Sequence, residues 1–149
     1  MIIAVDFDGT LHTGKWPGLG APAPYARDVM TRLHQDGHYL IIWSCREGQQ
    51  QTEMVNWLLE YGIPFDRVND NHTDGIAAYE GNSRKVYAHL YVDDKQVGGL
   101  PTWEEIYEFV REKEAEYKKY RFMEARALWR VKVGKDFNDI NKNRDVDVE

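Results

Sequence analysis

Apolar residues fall along this chain in two alternating rhythms. Ile2–Val5 ("IIAV") is a short unbroken apolar run rich in β-branched residues, the pattern of a strand buried on both faces. Residues 12–22 hold three glycines and two prolines and read as a loop. Ala26, Val29, Met30 and Leu33 then recur at i, i+3, i+4 and i+7, which predicts a helix, with Gly37 as its stop. "HYLIIW" predicts a second buried strand closing at Ser44. "QQQTEMVNWLLEYG" predicts a second helix, with Val55, Leu58 and Leu59 on its apolar side and Gly62 as its stop. "IPFDRV" is a short third strand, the polar run from Asn69 to Ser83 a loop, and "AHLYV" a further strand closing at Asp93-Asp94.

Strands that alternate with helical patterns predict parallel pairing. The expected fold class is α/β, a layered fold on a mainly parallel sheet with a C-terminal helical extension. Thr102 with Glu105 forms a capping-box signature after Pro101, and no glycine or proline follows before Gly134. One domain is expected over residues 1–133, with a core over about 1–100, helices over about 102–133 and a polar tail over 134–149.

Composition narrows the setting. At 149 residues, with 42% hydrophobic and 30% charged positions, the chain is long enough for one sizeable core. The net charge of −6 disfavours a nucleic-acid surface over the whole protein. Arg111 to Lys132 carries eight Lys/Arg against four Glu, which a solvated amphipathic helix explains more simply than a nucleic-acid contact. One cysteine, Cys45, excludes an intrachain disulfide and a cysteine zinc cluster. The histidines show no metal-ligand spacing. No apolar run is long enough for a bilayer and the start lacks a signal-peptide pattern, so a cytoplasmic, non-membrane protein is expected.

The chemistry lies at the predicted strand ends. Asp6 and Asp8 follow the first apolar strand, and burying two like charges there is costly unless a cation or donors compensate. A carboxylate can attack phosphorus, and Mg²⁺ favours carboxylates, phosphate oxygens and water. Asp6 suits the nucleophile and Asp8 the general acid and base. Gly9 allows close backbone approach, although Asp and Gly also serve ordinary turns. Ser44 can donate to a phosphate oxygen or simply form a turn, and Arg46 can fork onto an oxyanion or form an ion pair. Lys85 can neutralise a phosphate or stay a surface charge. His12 can reach a substrate. Asp93-Asp94 repeats the acidic strand end, which is hard to explain without a cation between the two.

With "DFDGT" at 6–10, Ser44 closing "LIIWS", Lys85 ahead of the last core strand and "YVDD" at 91–94, the chain resembles the haloacid dehalogenase superfamily of phosphohydrolases over roughly residues 1–100. The resemblance implies a three-layer Rossmann-like core and a magnesium-dependent phosphatase acting on a phosphate monoester through an aspartyl-phosphate on Asp6. It assigns Thr10, Ser44 and Lys85 to the phosphate. It assigns the metal to Asp6, the Asp8 main-chain carbonyl and Asp94, with Asp93 and Arg46 in support. Neither gap between the motifs has room for the cap domain of many members, so the site is open. The loop 69–83, led by Asn69, Asp70 and Asn71, is then the substrate loop unless its residues only make turns. A nucleotide or polynucleotide-end phosphatase of the same superfamily is the second reading, and a module with the fold but no turnover the third. A signalling receiver domain is disfavoured, because no isolated aspartate ends a middle strand. A phosphorylated substrate is the expected partner, and the aromatic residues Tyr117, Tyr120, Phe122 and Trp129 are weighed as a contact between identical subunits.

Overall fold

The computed structural model describes residues 1–119. Four strands form one sheet: β1 (Ile2–Val5), β2 (Tyr39–Ile42), β3 (Arg67–Val68) and β4 (Leu90–Val92). Their order is β3-β2-β1-β4 and every pairing is parallel. Helices α1 (Ala26–Gln35), α2 (Gly48–Glu60) and α3 (Thr73–Tyr79) lie between the strands in sequence. The result is a three-layer, Rossmann-like α/β fold, and the parallel pairing is the one the alternating pattern predicts.

The register is set by burial. Ile3, Ala4 and Val5 of β1 face Leu40, Ile41 and Ile42 of β2 and Leu90, Tyr91 and Val92 of β4. A period-two alternation sends Ala4 and Ile41 to one face, where Val86 and Ala88 pack on them beside Trp43 and Tyr91. A one-residue slip would exchange the faces of every strand residue, so an apolar core on both sides fixes the pairing.

Helix α1 buries Ala26, Val29, Met30 and Leu33, the four positions its periodicity marks. Gly37 and Gly62 follow α1 and α2 with φ of 82° and 63°, the left-handed geometry that stops a helix at low cost. Helix α2 departs from expectation, because it buries Met54, Trp57 and Leu58 while Leu59 is 66% exposed. Trp57 causes the rotation. Its ring packs edge-on to Phe7 at 5.2 Å, and its indole N–H donates to the Gly20 carbonyl at 2.8 Å.

The expected loop 69–83 contains a helix, α3, started by the His72 ring accepting from the Asp74 N–H at 3.2 Å. None of its residues is buried, so it leaves no apolar rhythm to read.

The chain packs as two compact units, Met1–Phe109 and Val110–Glu149. In the first, a last helix, α4, begins at residue 103 behind the predicted capping box. The Thr102 hydroxyl donates to Glu105 Oε2 at 2.9 Å and accepts from the Glu105 N–H at 3.3 Å. The described part of the second unit, 110–119, is helical. The rest of the expected helix to 133, the tail 134–149, most of the basic stretch and the aromatic residues from Tyr120 onward lie outside the described residues. Among the described residues no helix is long and apolar enough to cross a membrane.

Candidate active site

In a parallel sheet all carboxyl ends share one edge, and clefts open where neighbouring connections leave in opposite directions. Here that point is β1, with β2 on one side and β4 on the other. Asp6 follows β1, and Asp93 and Asp94 follow β4. The Asp6 N–H donates to the Val92 carbonyl at 2.8 Å, which sews the two strand ends together. One carboxylate oxygen from each of Asp6, Asp93 and Asp94 lies within 4.8 Å of the others.

Three like charges at that spacing repel by about 3 kcal/mol per ionised pair at a typical effective dielectric. Asp6 shows the effect. Burial first, then Asp93 and Asp94, push its pKa up to about 6 against hydrogen bonds that act the other way. Asp94 Oδ1 is buried and has no hydrogen-bond partner, while Oδ2 meets the Lys95 ammonium. Gly9, at φ 81°, turns the chain beneath this cluster, and a Cβ there would stand 2.7 Å from Asp94 Oδ2. Only glycine permits both the backbone angle and the approach.

Asp8 sits in a different environment. Burial would raise its pKa, but hydrogen bonds from Arg46 and then His12 outweigh that and hold the carboxyl below its ordinary range. Arg46 donates through Nε to Asp8 Oδ2 at 2.9 Å and through a terminal nitrogen to Oδ1 at 2.7 Å. The guanidinium is itself buried, and it also reaches the carbonyls of Pro17 at 3.1 Å and Gly18 at 3.3 Å. His12 Nε2 lies 3.0 Å from Asp8 Oδ1. Its Nδ1 accepts from the N–H groups of Gly14 at 2.9 Å and Gly20 at 3.3 Å, which assigns the ring proton to Nε2. The two glycine backbones cross so closely that a Cβ on Gly14 would stand 2.4 Å from the Gly20 nitrogen.

Asp6, Asp8, Asp93 and Asp94 thus line one cavity of about 380 Å³ with Trp16, Cys45 and Lys95. The other predicted residues are placed differently. Thr10 is fully buried. Its hydroxyl donates to Asp6 Oδ2 at 3.3 Å and accepts from the Asp94 N–H at 3.0 Å. Its proton is therefore spent inside the protein, and Thr10 ties the two acidic segments together instead of facing a phosphate. Ser44 does not line the cavity, and its hydroxyl accepts from the Arg46 N–H at 3.2 Å. Lys85 does not line the cavity; its ammonium lies 5.0 Å from the centre of the Tyr91 ring. The cation at the acidic edge is Lys95. His12 is buried behind Asp8 and does not face the cavity.

Asn69, Asp70 and Asn71 spend their side chains on the loop and on the segments that flank it, Asn69 also donating to the Arg46 carbonyl at 3.4 Å. Asn69 Oδ1 accepts from the Ser44 N–H at 2.8 Å. Asp70 pairs with Arg67 at 2.7 Å and accepts from Asn82 at 2.8 Å. Asn71 donates to Asn82 at 2.8 Å and to the Ser83 carbonyl at 3.0 Å, and accepts from the Tyr87 N–H at 2.6 Å. A larger cavity of about 500 Å³ lies under this loop and reaches Ile2, where β1 begins, so it is remote from the carboxylates at the other end of the strand.

No family model and no curated protein matches the chain. Among solved structures, a conserved protein coded by a locus of Bacteroides thetaiotaomicron is 41% identical, with a TM-score of 0.69. The match covers 76% of this chain and 91% of that one. The chain belongs to that protein's family.

Within that family's α/β frame, sequence reasoning missed three residues at the cavity. Lys95 directly follows the acidic pair, so proximity alone pointed to it. Trp16 is a large aromatic in a polar glycine-rich loop, an oddity worth asking about. Cys45 left no signal beyond its place after Ser44.

Proposed function

We propose that this protein is a magnesium-dependent phosphohydrolase of the haloacid dehalogenase type, cleaving a phosphate monoester. One observation carries the reading: three carboxylates converge at the sheet's switch point and leave the buried Asp94 Oδ1 without a partner. The donors are all hard oxygens, which suits Mg²⁺ better than a thiophilic or imidazole-seeking metal. Asp6, Asp94 and the Asp8 main-chain carbonyl would hold the ion, with Asp93 beside them. A bound Mg²⁺ supplies positive charge that screens the carboxylates and the phosphate from one another.

The chain's own residues then have these tasks. An Asp6 oxygen attacks phosphorus as the bond from phosphorus to the ester oxygen breaks, giving an acyl phosphate on Asp6. The departing oxygen takes its proton from Asp8 in its protonated form, which the bonds from Arg46 and His12 make the minor one. Water next attacks phosphorus, Asp8 takes the proton, and the Asp6 carboxylate is released with inorganic phosphate. Arg46 and His12 fix the orientation of Asp8, and their preference for its ionised form suits the second half best. Lys95 sits on Asp94 and is free to turn its ammonium to the phosphate, the task the resemblance gave to Lys85. The Ser44 hydroxyl retains a proton to donate.

Phosphate release from a panel of monoesters tests the reading, run with Mg²⁺, with chelator and with Asp6→Asn. Release that needs Mg²⁺ and disappears in Asp6→Asn is expected. Release that survives the substitution in a protein freed of contaminating phosphatase overturns it.

A further inference from the structure

Trp16 is a large apolar side chain that the proposed chemistry leaves without a task. Its ring is 55% exposed, yet it lines the same cavity as Asp6, Asp8, Asp93 and Asp94. An exposed indole costs hydration free energy, and the one other large apolar side chain exposed in its loop, Leu19, does not line the cavity. The ring is also held firmly. The Arg46 guanidinium lies 4.9 Å from its centre, and the same guanidinium is 5.2 Å from the centre of Phe7. Arg46 is in turn fixed by both oxygens of Asp8 and by the carbonyls of Pro17 and Gly18, the two residues after Trp16. The position of the ring is therefore tied to the position of the Asp8 carboxylate.

We infer that Trp16 is a stacking platform for the organic half of the substrate, and that the site takes phosphate monoesters bearing a flat aromatic or heterocyclic ring. The inference rests on the phosphohydrolase reading and supplies its substrate class. The acidic cavity offers the phosphate end its place only with a cation present. Beyond the phosphate, the large apolar surface on the cavity wall is the indole. A planar ring covers that surface by stacking at little entropic cost, because the indole is already fixed. A flexible alkyl chain gains less from the same contact.

Three probes separate the outcomes: phenyl phosphate, a nucleoside 5′-monophosphate and n-butyl phosphate. Binding is measured by calorimetry with Mg²⁺ in the Asp6→Asn protein, so that no turnover intervenes. It is repeated with Trp16→Ala and Trp16→Phe added. The flat compounds should bind about tenfold more tightly than n-butyl phosphate. Trp16→Ala should remove that advantage, Trp16→Phe should keep most of it, and n-butyl phosphate should not change. Equal weakening of all three by Trp16→Ala would reassign the ring to supporting Arg46, and no change in any would remove its role. Either result, with phosphate release intact in the protein with Asp6, discards the platform and leaves the hydrolase. No binding of any probe, together with no release, discards both.

Discussion

Two polar regions of this molecule have similar composition and opposite accounts. The loop 69–83 holds Asn69, Asp70, Asn71 and Asn82, and their side chains bond to one another, to Arg67 or to backbone. The edge of β1 and β4 holds Asp6, Asp93 and Asp94, which crowd together and leave a buried oxygen unpaired. The first region is satisfied and structural. The second is crowded and leaves that oxygen unsatisfied. The number of acidic residues does not separate the two; the fate of each polar atom does.

The sharpest way to break that comparison is to neutralise one acid in each region. Asp6→Asn should lower metal-dependent phosphate release by about a thousandfold or more, because the attacking oxygen is gone. Asp70→Asn, at a residue with little to do at the cavity, should leave release within about twofold. Steady-state rates on one monoester decide it. A large loss in Asp70→Asn would return the loop to the site.

The next effect is on stability and concerns the clamp on Asp8. Arg46→Met leaves a partly buried carboxylate without its main partner, which should cost about 3 kcal/mol. Adding Asp8→Asn should restore part of that loss, because the orphaned charge goes with it. Urea unfolding with an unchanged slope measures both. A loss of under about 1 kcal/mol would show that the pair is no more than a surface contact.

How much of this was legible beforehand follows the same division. The parallel sheet could be read, because Ile2–Val5 and "LII" in β2 are apolar at every position and only a doubly covered strand tolerates that. The acidic edge could be read, because charge at the end of a buried strand conflicts with its surroundings. Helix α3 could not, since it buries nothing. Nor could the contact of Lys95 with Asp94, or that of Lys85 with Tyr91, because a long flexible cation announces its chain position and not its partner. Arg46 was undecided between an oxyanion fork and an ion pair; the structure pairs it with Asp8. Thr10 carries a related ambiguity. A hydroxyl next to an acidic motif suggests a ligand, but burial gave its proton to Asp6.

A smaller effect tests the satisfied region directly. Asn71→Ala removes a nearly buried amide and leaves the Tyr87 N–H without its acceptor, so the protein should lose about 2 kcal/mol. Phosphate release at a temperature well below unfolding should stay the same. A parallel loss of activity would mean that the loop and the acidic edge are coupled.

The finest test asks whether the crowding at Asp6 is felt by the whole fold. Its pKa is about 6 in the folded chain, against an ordinary value of 3.8. Between those values the folded state holds a proton that the unfolded state has lost. This contribution is therefore largest below the lower value, and stability falls as pH rises through 6. Asp8 has the opposite sign, since its lowered pKa adds stability that is lost only as the solution becomes more acid. The comparison of wild type with Asp6→Asn isolates the first effect. In chelator, the melting temperature of Asp6→Asn relative to wild type should climb by several degrees between pH 4 and pH 7. Adding Mg²⁺ should shrink the difference at pH 7, because a bound cation offsets the same repulsion. A difference flat across that range would mean that neither burial nor its neighbours raise the Asp6 pKa, and the case for a cation at the strand ends would then rest on the unpaired Asp94 oxygen alone.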